Sequence, residues 1–216
     1  MIKKDGNTMI IDTFRDLKSS SAEFNKAKRK TVKLIVKSAE HDQKVIDIIN
    51  TLKEMRDLEW VEIQNPDAKL CSIDGMLYSR NGKNLYFCAR TGAVEIPDGT
   101  KTICEGAACN CMLSELIIPD SVKYIKNFAF FGSYMLKEVK GGSSITDIGD
   151  SVFLNCVRLK KFNIGKNMKH IGAGAFANTG LTEINLPDGL KSVGNDAFET
   201  IAIGANEDGS NYAIEL

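Results

Sequence analysis

The sequence predicts a leucine-rich-repeat solenoid, a right-handed coil (mostly β, or α/β) of about 22–23 residues per repeat with an α/β amino-terminal cap. Three in-phase columns predict it. Leu113, Leu136, Leu159 and Leu181 open four copies of one phrase at spacings of 23, 23 and 22 residues. Ile125, Ile148, Ile171 and Val193 repeat those spacings, as do Phe130, Phe153, Phe176 and Phe198. A lone repeat cannot bury its apolar face, so such copies must stack on their neighbours.

Residues 1–30 are expected to be weakly structured, or to form one helix around Thr13–Lys28. The basic cluster Lys26, Lys28, Arg29, Lys30 and Lys33 in and after this segment reads as a solvated face rather than a contact for an acidic partner. Thr31–Val36 reads as a strand. Asp42 to Leu58 carries Val45, Ile46, Ile48, Ile49, Leu52 and Met55 at helical spacing, with Asp42 as N-cap. Leu58–Ile63 is again a strand. Residues 31–65 are therefore a strand–helix–strand cap repeat. Residues 66–90 read as a β-hairpin insert, because apolar residues flank Asn81-Gly82 as in a type I′ turn.

Residues 91–203 hold the leucine-rich repeats. In each phrase the alternation of apolar and polar residues is a short strand with one buried face. Pro-Asp-Gly or Pro-Asp-Ser at 97–99, 119–121 and 187–189 is turn chemistry. The Ile column fits a second short strand on the opposite wall. Each Phe ends a tight helical turn with its ring inward, so stacked repeats put the rings in one buried spine. An earlier, degenerate copy places Val94, Ile96 and Pro97 22 residues before Leu116, Ile118 and Pro119, with Ala108 where the phenylalanine belongs. After Phe198 the pattern fades. Ile201 and Ile203 begin a last strand, and 204–216 are a tail or a cap.

Ile118-Pro119-Asp120-Ser121-Val122-Lys123-Tyr124-Ile125-Lys126-Asn127-Phe128-Ala129-Phe130 and Val152-Phe153-Leu154-Asn155-Cys156-Val157-Arg158-Leu159 resemble the BspA-like leucine-rich repeats. Ser72–Tyr78 followed by Asn81–Leu85 resembles an insert common in that family, and the resemblance covers about residues 66–203. Cys156 falls on the family's cysteine position, and Cys111 holds it two repeats earlier, which implies a packing role for both. The resemblance implies a binding protein of the cell surface or a secreted one, with varied ligands. The chain departs from the family in lacking an export signal and the first phenylalanine.

Composition narrows function. Lys+Arg and Asp+Glu are both 28, which disfavours nucleic acid. No apolar run approaches the roughly 20 residues of a membrane span. As written the chain reads as cytoplasmic, and as cell-surface or secreted if its amino terminus is truncated. Cys104, Cys109 and Cys111 are the one candidate zinc cluster, but a fourth close ligand is missing and they read as buried thiols. Aspartates 98, 120 and 188 recur at one turn position, yet Ser143 and Lys166 interrupt a calcium ladder, so they read as turn formers. Gly172, Gly174 and Gly180 flank the Phe176 turn and serve backbone geometry, and His170 is a surface or wall residue. No serine elbow, P-loop or H-E-x-x-H motif occurs, so no catalytic residue and no cofactor are expected.

Function is then expected from the concave sheet, as a non-catalytic scaffold for a protein partner. The central track of outward residues is Glu62, Glu95, Ile117, Lys140, Asn163 and Asn185. The flanking track is Trp60, Ala93, Glu115, Glu138, Lys161 and Glu183, with Trp60 and Ile117 as apolar anchors. The alternative is a fragment of a cell-surface adhesin or host-interaction protein. An enzyme is the remaining reading, with no constellation behind it.

Overall fold

The computed structural model describes residues 2–17, 22–38, 45–199 and 201–203. They divide into two units, Met1–Arg90 and Thr91–Leu216.

In the first unit, β1 (Lys3–Asp5), β2 (Thr8–Ile11), β3 (Lys33–Val36) and β4 (Trp60–Ile63) form one sheet in that order. β1 is antiparallel to β2; the other pairs are parallel. Helices α1 (Ala22–Ala27) and α2 (Val45–Lys53) lie on the crossovers to β3 and β4. Parallel neighbours need such a crossover. The register stacks Met9, Leu34 and Val61, all fully buried, with Phe24 and Leu52 in the same core.

The segment before Lys30 thus differs from the expected weak structure or single helix. Met9 and Ile11 alternate with half-exposed neighbours and pair along β3, so an additional strand–helix unit precedes Thr31. Its apolar run is only Met9-Ile10-Ile11, and what buries it is the pairing with β3. On α2, Ile46 is 53% exposed rather than part of the buried face. The proposed N-cap Asp42 lies outside the described residues.

The insert is a three-stranded antiparallel meander of β5 (Leu70–Ile73), β6 (Met76–Ser79) and β7 (Asn84–Phe87). Its two-residue turn is Asp74-Gly75, not Asn81-Gly82. Ile73 pairs with Met76, and both central residues have positive φ (48° and 74°), as a type I′ turn requires. Between β6 and β7 the loop is longer. The Gly82 amide donates to Ser79 O (2.8 Å), and the Asn81 side chain accepts from Lys83 N (3.1 Å).

The second unit is a coil with two parallel walls. One wall is β8 (Gly92–Glu95), β10 (Leu113–Ile118), β12 (Glu138–Gly141) and β14 (Lys161–Phe162). The opposite wall is β9 (Thr102–Ile103), β11 (Tyr124–Ile125), β13 (Asp147–Ile148), β15 (His170–Ile171) and β17 (Ser192–Val193), aligning Ile103, Ile125, Ile148, Ile171 and Val193. β16 (Glu183–Ile184) pairs with β18 (Ala202–Ile203) instead of with β14. Residues 204–216, read as a tail or cap, lie outside the described residues.

The phenylalanine spine is present. Phe130–Phe153, Phe153–Phe176 and Phe176–Phe198 stack with centroids 5.3, 5.3 and 5.6 Å apart. Phe162, from the β14 wall, tilts against both Phe153 (5.3 Å) and Phe176 (5.0 Å). Offset and tilted rings at these distances add to the burial of area itself.

Glycines let successive coils close. A Cβ on Gly172 would strike the backbone of Gly149 and Asp150, and one on Gly194 would strike Ala173 and Gly172. Next to them runs a column of left-handed residues, Gly106, Phe128, Ser151, Gly174 and Asp196, with φ between 53° and 60°. Their amides bond the coil that follows: Gly106 N to Asn127 O (3.0 Å), Phe128 N to Asp150 O (2.9 Å) and Gly174 N to Asn195 O (2.9 Å).

Candidate functional site

Strand alternation dictates which residues face outward on the β8–β10–β12–β14 wall. Leu116, Val139 and Phe162 point into the core, so their neighbours point out. The pairing sets Glu115 opposite Ala93 and Glu138, and Glu138 opposite Lys161. Ile117 stands between Glu95 and Lys140. Glu95, Lys140, Lys161, Asn163, Glu183 and Asn185 are exposed, whereas Glu115, Ile117 and Glu138 are half-buried.

The charges on this wall alternate across the strands. Lys140 Nζ lies 2.5 Å from Glu115 Oε1 and 3.8 Å from Glu138 Oε2, and Lys161 Nζ lies 3.8 Å from Glu138 Oε1. The Glu115 carboxylate, by accepting that hydrogen bond, holds the Lys140 ammonium above its ordinary value. Exposed pairs of this kind contribute little to stability. They link side chains of three strands, β10, β12 and β14.

Beside the ladder, where β14 and β16 do not pair with each other, lies a concavity of about 320 Å³. Its walls include Glu138, Lys140, Lys161, Phe162, Asn163 and Glu183. That volume is at the small end for a binding cavity. Five of the sequence-derived surface residues therefore meet at one notch: Glu138, Lys140, Lys161, Asn163 and Glu183.

Trp60 and Glu62 belong to the sheet of the first unit, where they pair with Lys33 and Ile35. Trp60 is half-buried rather than an exposed anchor. A Cβ on Gly75 would come within 2.5 Å of its ring, so the indole lies on that glycine. Arg90 covers the ring at 5.0 Å and Lys33 at 5.9 Å. Lys33 also bonds Glu62 (2.6 Å), and that bond holds the Glu62 carboxyl below its usual range. The tryptophan is thus engaged inside its own unit. Its spacing gave no sign of this, because its neighbours come from distant segments.

Three of the cysteines also differ from expectation. Cys156 and Cys88 are buried, but Cys104, Cys109 and Cys111 are half-buried. Burial pushes the Cys156 thiol up to about 12 and Cys104 to about 11. Cys156 Sγ donates to Phe130 O (3.2 Å), and Ser133, one coil earlier, donates from its Oγ to Ala108 O (3.0 Å). Ser133 stands between Cys111 and Cys156 in the column, so the position selects a small side-chain donor rather than sulfur chemistry. Among the described residues no group of three or more His, Cys, Asp or Glu is placed to hold a metal ion.

Two of the turn aspartates, Asp98 and Asp120, are engaged by the coil itself. Asp120 Oδ1 accepts from Ser143 N (3.1 Å) and Ser143 Oγ (2.7 Å), one repeat on. The Gly99 amide and the Ser121 hydroxyl hold the Asp98 carboxyl below its usual value. Exposed His170 shares a 2.8 Å contact with Ser192 Oγ on the next strand. Among the described residues no helix is long and apolar enough to cross a membrane.

Residues 81–203 match the BspA type leucine rich repeat region in six copies. Among solved structures, the chain is similar to a leucine rich repeat protein of T. pallidum, with 25% identity, a TM-score of 0.54, and 59% of this chain and 64% of that one covered. It is similar to a leucine-rich repeat protein from Bacteroides ovatus, with 26% identity, a TM-score of 0.51, and coverage of 61% and 37%. It also shares its fold with a leucine rich cell surface protein from Faecalibacterium prausnitzii, with 20% identity, a TM-score of 0.62, and coverage of 85% and 55%. The chain thus spans between 37% and 64% of the lengths of these three proteins. No curated protein matches it.

Proposed function

The chain belongs to the BspA-type leucine-rich-repeat family, and from that premise we propose that it is a non-catalytic scaffold binding a protein partner on the β8–β10–β12–β14 wall. The observation that carries this reading is the ordered ladder Glu115–Lys140–Glu138–Lys161 beside the 320 Å³ notch. Fixed alternating charges favour a partner segment of complementary pattern and penalise a mismatched one. Ile117 supplies an apolar contact within the same field, opposite Lys140.

The test is affinity capture with wild type and with Ile117→Asp/Lys140→Glu, read by quantitative mass spectrometry. Both side chains lie on the outer face of the wall, so the variant keeps the coil. The expected result is loss of specific partners by at least about tenfold, about 1.4 kcal/mol. A partner set fully retained by the variant contradicts the assignment.

The family premise also carries the alternative, a surface adhesin or host-interaction protein. Protease shaving of intact cells distinguishes the two. Release of peptides from residues 91–203 supports surface display, and complete protection refutes it.

A further inference from the structure

The first unit contains a second concavity, of about 600 Å³, away from the wall considered above. Two connections build it: residues 28–30, leaving α1, and residues 53–57, leaving α2. Its lining is Lys28, Arg29, Lys30, Lys53, Glu54, Arg56 and Asp57, five cations against two carboxylates. The whole chain is neutral, so this surplus is local.

Both carboxylates are already engaged. Glu54 pairs with Lys28 (2.9 Å), and Asp57 accepts the backbone amide of Lys30 (3.1 Å). Among the described residues, no carboxylate lies within ion-pair distance of Arg29, Lys30, Lys53 or Arg56.

Basic residues at helix carboxyl ends commonly serve the exposed carbonyls there. Here other groups do so. Ala27 O accepts from Lys4 Nζ (2.9 Å) and Thr31 Oγ1 (2.7 Å), and Arg29 O accepts from Lys4 Nζ (2.5 Å). At and after the end of α2, the Thr51, Leu52 and Met55 carbonyls accept from the Glu54, Met55 and Leu58 amides. Among the described residues these four cations therefore line the concavity without a carboxylate partner. A cleft lined by one sign of charge concentrates the opposite sign.

We propose that this concavity binds a compact ligand carrying two or more phosphate or sulfate groups, held by Arg29, Lys30, Lys53 and Arg56. Two arginines suit tetrahedral oxyanions, since each guanidinium donates two parallel hydrogen bonds. The volume matches a small polyanion rather than an extended chain.

Isothermal titration of the full chain with sodium tripolyphosphate, and separately with a trisulfated disaccharide, tests this at low ionic strength. One-site binding of at least one probe is expected, and the tighter probe identifies the source of the anion. Arg29→Glu/Arg56→Glu should weaken binding by at least about 30-fold, as lost charge-assisted contacts imply. Lys53→Gln, a single exposed change that keeps the fold, should weaken it about threefold or more, and Glu54→Gln should tighten it. Absence of saturable binding to both probes overturns the proposal. So does an affinity unchanged in the charge variants, or capture of an acidic peptide alone at these residues.

Discussion

Ser151 adopts φ of 53° in a column where Gly106 and Gly174 sit at 60° and 59°. A side chain there costs roughly 1–2 kcal/mol, partly offset in the unfolded chain by glycine's greater freedom. Ser151→Gly should therefore raise stability by about 0.5 kcal/mol or more, seen as a higher thermal midpoint. An unchanged or lower midpoint contradicts the strain. Phe128, Ser151 and Asp196 mask this column, since only two of its five members are glycine. Composition alone could not disclose it. The Cys156 column was legible as packing, but the identity of Ser133 at the same place explains why. Cys156→Ser should cost no more than about 1 kcal/mol, because the hydroxyl can repeat the Ser133 bond. Its pH signature is specific. A buried thiol at about 12 stays protonated when the unfolded thiol ionises near its ordinary 9, so its contribution to stability is complete below 9 and is lost as pH rises from 9 to about 12. Denaturation of the serine variant should lack that share of the alkaline loss. An identical alkaline slope in both proteins would show that the thiol does not titrate this way.

At the scale of elements, two Xaa-Gly pairs competed for the tight turn of the insert. Asp74-Gly75 won because Ile73 pairs directly with Met76, leaving two residues between the strands, whereas four separate Ser79 from Asn84. Both pairs carry the same local signal, and only strand register separates them. Gly75 has a further constraint, the indole of Trp60 resting on it. Gly75→Ala forces that ring away at a left-handed position, so a cost of about 2 kcal/mol or more is expected. Trp60 is the sole tryptophan, so its emission reports the displacement directly. An emission maximum unchanged from wild type would refute the contact. The charge ladder behaves differently. Lys140→Ala should change stability by less than about 1 kcal/mol, since exposed pairs are nearly neutral. A larger loss in chemical denaturation would mean the ladder holds the wall together rather than presenting it.

For the molecule as a whole, the coil of the second unit was legible because equivalent residues recur in phase. Leucine, isoleucine and phenylalanine columns each settle on one wall or in the spine. The break between β14 and β16 was not legible, since the phrase at Leu181-Thr182-Glu183-Ile184 is as regular as those before it. It arises from backbone pairing, which side-chain pattern does not encode. The extra strand–helix unit before Thr31 escaped because its apolar run is only Met9-Ile10-Ile11 between Thr8 and Asp12, and its burial depends on pairing with β3. The outward direction of the strand residues was legible in the second unit, where alternation dictates it, whereas the covering of Trp60 was not, since its cation Arg90 lies 30 positions away. The stacked phenylalanines tie each coil to the next. Equilibrium denaturation of Phe153→Ala in urea tests this most directly, because that ring stacks on Phe130 and Phe176 and touches Phe162. The expected loss is about 3–5 kcal/mol, and a loss under about 1 kcal/mol would contradict a continuous buried spine.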